Sequence, residues 1–447
     1  MERAGVKPSR WVIDAPRCLA LLVLAGGVAA CSPQPAQPAA SASQTPELIL
    51  PSPVSPTTTA PAVLSAPAEP SPTATHNPGS ALGPYQAGDE NFKHKNYAAA
   101  ANDYSLAILA DKKFAAAYCQ RGLAYVELGN MQNAFNDFQT ALQIDPYQAA
   151  CYVGLARVSI QDKDYSRALA DLNQAQAVQP GYVDTYLVRG KLYRDMPTPD
   201  TTDALSDFGQ VIALAPQSPD GYLERADLYL NTSAPDRALA DLNIAIAIDA
   251  SNARAYFLRG MARHATGDAR SAIADLLKAQ SLGFNDEKLY LALGASYLDV
   301  DDQTNALAAL DEAVALSPQD TQALYLRGVV NYRGGHNYPA LLDMNAALAI
   351  HPDFEDALIL RANIYLSLQR WQDAIADFKR VYQLDPGNVE TLYGIGKAYH
   401  ALRQDSAAMD ALNEYLSKAP ADATNRAEAE QLLAQLQGQV QSPTPTP

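Results

Sequence analysis

The chain has 447 residues, a formal net charge of −16 and 18% charged residues. An acidic chain repels phosphates, and no block of Lys and Arg occurs, so we expect no nucleic-acid partner. No run of eighteen apolar residues is present, which argues against an ordinary transmembrane helix. The length allows two or three domains.

Residues 1–30 have the pattern of an export signal. Basic residues precede a short apolar core, LALLVLAGGVA, which is too short to span a membrane as a helix. Small residues then precede Cys31, in the order Val28, Ala29 and Ala30. This ending resembles a bacterial lipobox, which implies cleavage before Cys31 and acylation of that residue. The alternative is an ordinary secretory signal with an incidental cysteine.

We therefore expect an exported protein, lipid-anchored to the outer face of the plasma membrane or to the outer membrane of a bacterium. Residues 31–80 follow as a linker rich in Pro, Ala, Ser and Thr, in which Glu47 and Glu69 are the only charged residues. Such a composition buries too little apolar surface to fold, and Pro favours an extended chain. At about 3.1 Å per residue the linker would reach on the order of 150 Å.

Residues 81–422 repeat with a period of 34. Ten blocks share one register, and the fourth block is two residues longer than the others. Position 20 of every block is Ala, and position 8 is always Gly or Ala. The blocks begin at Ala81, Ala115, Ala149, Val183, Pro219, Ala253, Glu287, Thr321, Glu355 and Val389.

Each block contains two bursts of apolar residues at helical spacing, often separated by Gly-Asp or Gly-Asn. The pattern predicts a helix hairpin in which small residues at positions 8 and 20 let the two helices approach. We expect large side chains at positions 24 and 28 to fill the space beside them. A further helix, 423–437, is expected to cap the array, and 438–447 is expected to form an unfolded tail.

Period, small residues, aromatic positions and a frequent Pro at position 32 resemble the tetratricopeptide repeat family over 81–422. The resemblance implies an all-α, right-handed superhelical solenoid of about ten hairpins with a concave groove. Each unit would bury its faces against its neighbours.

A recurrent Arg and Asp could be catalytic machinery or a structural brace. Arg occupies position 7 in six blocks, and each of those blocks also has Asp at position 23. Arg never occurs without the Asp of its own block, and Arg engages a carboxylate bidentately. We therefore predict a brace between the two helices of one hairpin. The pairs are Arg121 and Asp137, Arg189 and Asp207, Arg225 and Asp241, Arg259 and Asp275, Arg327 and Asp343, and Arg361 and Asp377.

No motif for catalysis or metal binding accompanies the repeats. The sequence contains no His-Glu-x-x-His, no Gly-x-Ser-x-Gly and no Cys-x-x-Cys, and the six histidines lack ligand spacing. We therefore expect no enzyme activity, no cofactor and no metal. Cys119 and Cys151 are expected to be free, packed thiols, because neighbouring helix axes lie about 8–10 Å apart and a disulfide needs closer Cα atoms.

The groove is the remaining candidate site. In the resembled family the first helix of each unit supplies the ligand contacts, and here the corresponding positions are apolar. Such a lining could accept an amphipathic helix or an extended protein segment, or its side chains could simply pack against neighbouring helices. The candidate groove residues are Phe257, Leu291, Tyr325, Tyr332, Ile359 and Tyr393.

We therefore expect a scaffold or adaptor that binds other proteins in its groove and meets the membrane only through its lipid anchor. The alternative is a structural or assembly subunit of an envelope complex, similar to a pilotin, that acts through its outer faces.

Overall fold

The structure is a computed structural model that describes residues 79–441. The predicted export signal, Cys31 and almost all of the linker lie outside the described residues, and so do residues 442–447.

The described residues form 21 helices: ten hairpins and one final helix. The first five hairpins are α1 (Gly79–Lys93) with α2 (Tyr97–Ala110), α3 (Ala115–Glu127) with α4 (Met131–Ile144), α5 (Ala149–Gln161) with α6 (Tyr165–Val178), α7 (Val183–Asp195) with α8 (Thr201–Leu214), and α9 (Asp220–Asn231) with α10 (Pro235–Ile248). The next five are α11 (Ala253–Ala265) with α12 (Ala269–Ser281), α13 (Glu287–Asp299) with α14 (Gln303–Leu316), α15 (Thr321–Arg333) with α16 (Asn337–Ile350), α17 (Glu355–Ser367) with α18 (Trp371–Leu384), and α19 (Glu390–Ala401) with α20 (Asp405–Lys418).

Helix α21 (Arg426–Gln441) follows the last hairpin, so the cap begins three residues later and ends four residues later than 423–437. Among the helices of 79–441, none is long and apolar enough to cross a membrane. The predicted all-α repeat solenoid is confirmed.

The chain divides into two compact units, with the boundary inside α8. The described part of the N-terminal unit is 79–207, and that of the C-terminal unit is 208–441. Each unit is described below by itself.

Small residues let the two helices of a hairpin approach closely. The Ala at position 20 is completely buried in all ten hairpins, and so is the large side chain at position 24. At Gly260, a Cβ atom would lie 2.7 Å from Cγ of Leu276, which is too close for a real contact. The second set of fully buried residues on the second helices is at position 27 and not at the predicted position 28. The residue at position 27 is buried in every hairpin, from Ala107 in the first to Tyr415 in the last.

The turn between the two helices uses a left-handed residue at position 15. Gly129, Gly267 and Gly335 occupy it with φ of 72°, 85° and 77°, and Lys163 and Gln369 occupy it with φ of 60° and 59°. The turn geometry is therefore a property of the hairpin, and glycine only makes it less costly.

The expectation of two free thiols is wrong. Cys119 and Cys151 form a disulfide, and their Cα atoms are 5.4 Å apart. The two residues lie on α3 and α5, which are the first helices of neighbouring hairpins. These first helices contact each other directly, so the local Cα separation is shorter than a typical interaxial distance and falls within the disulfide range.

Candidate interaction surface

All six predicted Arg–Asp pairs are present within their own hairpins. In the pair of α11 and α12, Nε of Arg259 donates to Oδ2 of Asp275 at 2.7 Å and Nη2 donates to Oδ1 at 2.8 Å. The side chains of the six aspartates are only 6–9% exposed. The other pairs are Arg121–Asp137, Arg189–Asp207, Arg225–Asp241, Arg327–Asp343 and Arg361–Asp377.

Five of these arginines also reach the preceding hairpin. Their Nη1 donates to a side-chain oxygen sixteen residues earlier, on the second helix of that hairpin, at 2.7–3.0 Å. Arg225 is the sixth arginine, and the residue sixteen positions before it is Gly209, which has no side chain to accept the bond. The five acceptors are Ser105, Asn173, Asn243, Asp311 and Asn345.

The brace therefore links neighbouring hairpins as well as the two helices of one hairpin. This second bond was not predicted from the sequence, although the polar residue at position 25 of the preceding hairpin could have indicated an acceptor for it. The hydrogen bonds with Asp275 raise the pKa of Arg259 further above its ordinary value, so the guanidinium stays charged. Because Nε, Nη1 and Nη2 of such an arginine are already hydrogen-bonded, the residue has a structural role.

Two hairpins carry the Asp without the Arg. Asp103 accepts a hydrogen bond of 2.7 Å from Asn91. Asp171 faces Leu155 at the Arg position in the register, and its Oδ2 is buried without a hydrogen-bond partner. Burial raises the pKa of the Asp171 carboxyl.

The predicted groove lining is mostly part of the core. Phe257, Leu291, Tyr325 and Tyr393 are at most 6% exposed. The expectation that these four side chains line an open groove is therefore corrected. Phe257, for example, stacks on Phe284, which follows α12, with ring centroids 4.6 Å apart. These side chains therefore pack within the helical array, as in the packing alternative raised from the sequence. Ile359 is half-buried.

A narrower apolar strip remains accessible near the ends of three first helices. It consists of Leu298, Tyr332 and Leu366, which occupy position 12 on α13, α15 and α17 and are all half-buried. We call these three residues the docking strip. Of the six predicted residues, only Tyr332 belongs to it. Successive first helices meet here, because Oη of Tyr332 lies 3.4 Å from Oγ of Ser367.

Polar contacts close the same face on the N-terminal side of the docking strip. Arg254 on α11 forms ion pairs with Glu224 and Asp227 on α9, at 2.7 and 3.0 Å. Leu230 and His264, which occupy position 12 on these two helices, are buried. In the C-terminal unit the accessible strip therefore begins at α13, whereas in the N-terminal unit the residues at position 12, Phe92, Val126 and Ile160, are also half-buried.

His264 lies at the start of the docking strip beside two polar side chains of α13. Its Nδ1 is 3.3 Å from both Oγ of Ser296 and Oδ2 of Asp299, while its Nε2 is buried without a hydrogen-bond partner. Burial lowers the pKa of His264 and raises the pKa of Asp299 to about 6. Both polar neighbours contact the same ring nitrogen, whereas a Ser–His–Asp triad uses both nitrogens. The group therefore lacks the geometry of a nucleophilic site.

The second helices present a different apolar feature on α16. Tyr338 and Leu342 are one helical turn apart and are 72% and 70% exposed. At the same two register positions, the nine other hairpins carry only polar residues or Ala. Within the described part of the chain, no group of three or more His, Cys, Asp and Glu side chains could hold a metal ion.

Comparison with known proteins agrees with this architecture. Profiles described as tetratricopeptide repeat match 115–148, 198–285, 291–353 and 390–422, and one described as TPR repeat matches 362–402. The chain is a tetratricopeptide repeat protein. It therefore belongs to a class of repeat scaffolds that bind other proteins.

Two curated relatives share a short stretch with this tetratricopeptide repeat protein. They are the DnaJ homolog subfamily C member 7 homolog of Dictyostelium discoideum, 32% identical over 97 residues, and the Hsp70-Hsp90 organizing protein 1 of Glycine max, 32% identical over 84 residues. The matches cover 21% and 19% of this chain but only 18% and 15% of those proteins.

Solved structures are similar at the level of single stretches. YrrB, described as a TPR protein with an unusual peptide-binding site, is 24% identical with a TM-score of 0.37, and the match covers 41% of this chain and 95% of YrrB. The pilF protein of Pseudomonas aeruginosa is 18% identical with a TM-score of 0.43, and the match covers 47% of this chain and 94% of that one.

Proposed function

We propose that this protein is an exported, lipid-anchored adaptor that binds a segment of another protein along the docking strip. The observation that carries the proposal is the contrast within the first-helix face. In the C-terminal unit four of the predicted groove residues are buried, whereas Leu298, Tyr332 and Leu366 are only half-buried in three consecutive hairpins. An apolar row of this kind suits the apolar side chains of a docked helix or extended segment.

Charged groups beside the row would select the partner's orientation. Asp299 and Arg333 follow Leu298 and Tyr332 in sequence at the ends of α13 and α15. Charges at the rim of an interface contribute mainly to specificity and to the rate of association.

A second function is favoured by the exposed pair on α16. Tyr338 and Leu342 would serve an assembly subunit that binds its partners through the outer, second-helix surface. Exposed apolar residues at positions that are polar or Ala in every other hairpin need an explanation other than packing.

One experiment separates the two surfaces. A photoreactive residue is placed at Tyr332 in one variant and at Tyr338 in another, and each full-length protein is crosslinked in its native membranes. The adaptor proposal requires that one partner crosslinks from position 332 and that Leu366→Asp abolishes this crosslink while Leu342→Asp does not. A partner that crosslinks only from position 338 would establish the outer-surface function instead.

The lipid anchor is tested separately. Cys31→Ser is expected to abolish acyl labelling and to release the protein from membranes, and labelling that persists in this variant would refute the anchor.

A further inference from the structure

The first hairpin carries two exposed leucines: the one at position 29 has only polar or small counterparts in the other hairpins, whereas position 26 also holds the exposed Ile244 in the fifth hairpin. On α2, Leu106 and Leu109 are 54% and 74% exposed. At position 29, occupied by Leu109, every other hairpin has Ala, Ser or Gln. An exposed aliphatic side chain that is unique to one unit of a repeat is not required by the packing of that repeat. It marks a surface that something else covers.

These leucines lie at the end of the hairpin where the chain enters. The two helices are antiparallel, so the end of α2 lies beside the start of α1. The rings of Tyr85 on α1 and Phe114, which follows α2, are 4.8 Å apart and show this proximity. Gly79 begins α1, so the segment that precedes it arrives at the same end as Leu109.

Two basic residues lie close to the leucines in sequence. Lys112 and Lys113 are exposed and follow Asp111, the residue after α2, whose Oδ1 accepts a hydrogen bond of 2.9 Å from the backbone N–H of Lys113. Lys112 stands at position 32, where seven hairpins have Pro.

The chain before Gly79 contains a complementary sequence, Glu47-Leu48-Ile49-Leu50. Leu48–Leu50 is the only run of three consecutive aliphatic residues other than Ala between Cys31 and Gly79, and Glu47 is one of only two charged residues there. Leu48–Leu50 match the two exposed leucines in polarity, and the negative charge of Glu47 is opposite to the net charge of +1 carried by Asp111, Lys112 and Lys113 together.

The intervening chain is long enough to connect the two. Residues 51–78 separate Leu50 from Gly79. At about 3.1 Å per residue these 28 residues reach at most about 90 Å. Helix α2, with 14 residues, is about 21 Å long, so the linker can return to its far end. Because both partners are on one chain, docking is intramolecular and a weak contact is enough.

We propose that residues 47–50 dock on the outer end of the first hairpin, with Leu48–Leu50 on Leu106 and Leu109 and with Glu47 beside Lys112 and Lys113. The occupant is this chain's own linker, and the docking does not depend on the adaptor function or on the lipid anchor. If Cys31 is lipidated, docking leaves only residues 32–46 as free tether. The reach of the linker then falls from about 150 Å to about 50 Å.

The test uses the mature chain, 31–447, with a photoreactive residue at Leu109. The matched control carries the same residue at Gln143, which occupies the same register position in the second hairpin and is also exposed. We expect an intramolecular crosslink from 109 to 47–50, independent of protein concentration. It should be at least about tenfold weaker from 143 and in the variant L48S/I49S/L50S, since three buried aliphatic side chains are lost.

A charge exchange tests the orientation. Glu47→Lys should lower the crosslink about twofold, and combining it with K112E/K113E should restore it, as expected for a solvent-exposed ion pair. The proposal is overturned if 109 gives no crosslink to 47–50, or if the triple serine variant crosslinks as well as the parent. It is also overturned if the crosslinks join two chains and rise with concentration, which would make this face an interface between copies.

Discussion

Removal of the Asp275 carboxylate tests the brace most directly. This side chain is 6% exposed and accepts ion pairs from two arginines, Arg259 at 2.7 Å and Arg263 at 2.8 Å. Asp275→Ala would leave both guanidinium groups without their carboxylate. Breaking a buried pair costs roughly 3–5 kcal/mol. The two arginine side chains are 16% and 28% exposed and retain some water, so we expect a loss of about 2–3 kcal/mol in the free energy of unfolding.

The chain itself supplies the design of the matched double variant. In the seventh hairpin, Leu293 and Ala309 occupy the positions of the Arg and the Asp, and both are buried. R259L/D275A reproduces this natural combination and removes Arg259 together with its carboxylate. Arg263 loses its ion pair in this variant, but it is 28% exposed and keeps a hydrogen bond to the backbone oxygen of Ser271. The double variant should therefore cost less than Asp275→Ala, about 1–2 kcal/mol, because replacing a buried pair by packed apolar groups is often neutral.

The assay is urea unfolding of the protein, with hydrogen exchange of the α11 and α12 amides as a local readout. Asp353→Ala is the surface control. Its pair with Arg380 is about half exposed on both sides, so the expected loss is about 0–1 kcal/mol. Equal stability of D275A, R259L/D275A and the parent would refute the brace. A double variant that is less stable than D275A would refute the reasoning on the unpaired arginines.

Three further predictions follow from the described residues. Replacing Cys119 and Cys151 by Ser should lower the free energy of unfolding of the N-terminal unit by about 3–4 kcal/mol, because the disulfide closes a loop of 32 residues. An unfolding transition that stays the same when the disulfide is reduced would contradict this prediction. The raised pKa of Asp299 means that the folded carboxyl holds its proton more tightly than the unfolded one. The contribution of Asp299 to the free energy of unfolding should therefore fall as the pH rises from about 4 to about 6. The difference in free energy of unfolding between the parent and Asp299→Asn should change in this direction over this range, and a difference that does not depend on pH would exclude the effect. Gly267 and Gln369 both have a left-handed backbone conformation. Gly267→Ala should therefore lower the free energy of unfolding in urea by about 1 kcal/mol, whereas Gln369→Gly should leave it unchanged or raise it by up to about 1 kcal/mol. An equal loss in both variants would show that the backbone conformation of the turn does not determine these changes.

Much of the fold was readable from the sequence because each hairpin is local. The Ala at position 20 and the Arg–Asp pairs lie within one hairpin, where helical periodicity fixes which residues face each other. Asp275 could therefore be assigned to Arg259 by its presence in the same block. The cap was also visible as a polar-rich helix, although its bounds shifted by three or four residues at each end.

The candidate site was less predictable because it depends on how neighbouring hairpins pack. Tyr325 and Tyr393 occupy register positions that contact ligands in the resembled family, yet here they are buried, Tyr325 beside Phe354 and Tyr393 beside Tyr415. Tyr332, seven residues after Tyr325 on the same helix, is only half-buried. The sequence has a tyrosine at both positions and does not show which of the two rings other side chains will cover.

The sequence by itself determined the repeat, the hairpin and the partners within each hairpin, since these follow from spacing along one or two helices. Only the tertiary structure decided that Arg259 also reaches Asn243, that Cys119 bonds to Cys151, and that Tyr332 on α15 stays half-buried where it meets Ser367 on α17. Each of these depends on the distance between side chains of different hairpins. That distance is set by the combined packing of many residues, which the pattern of a single repeat does not specify.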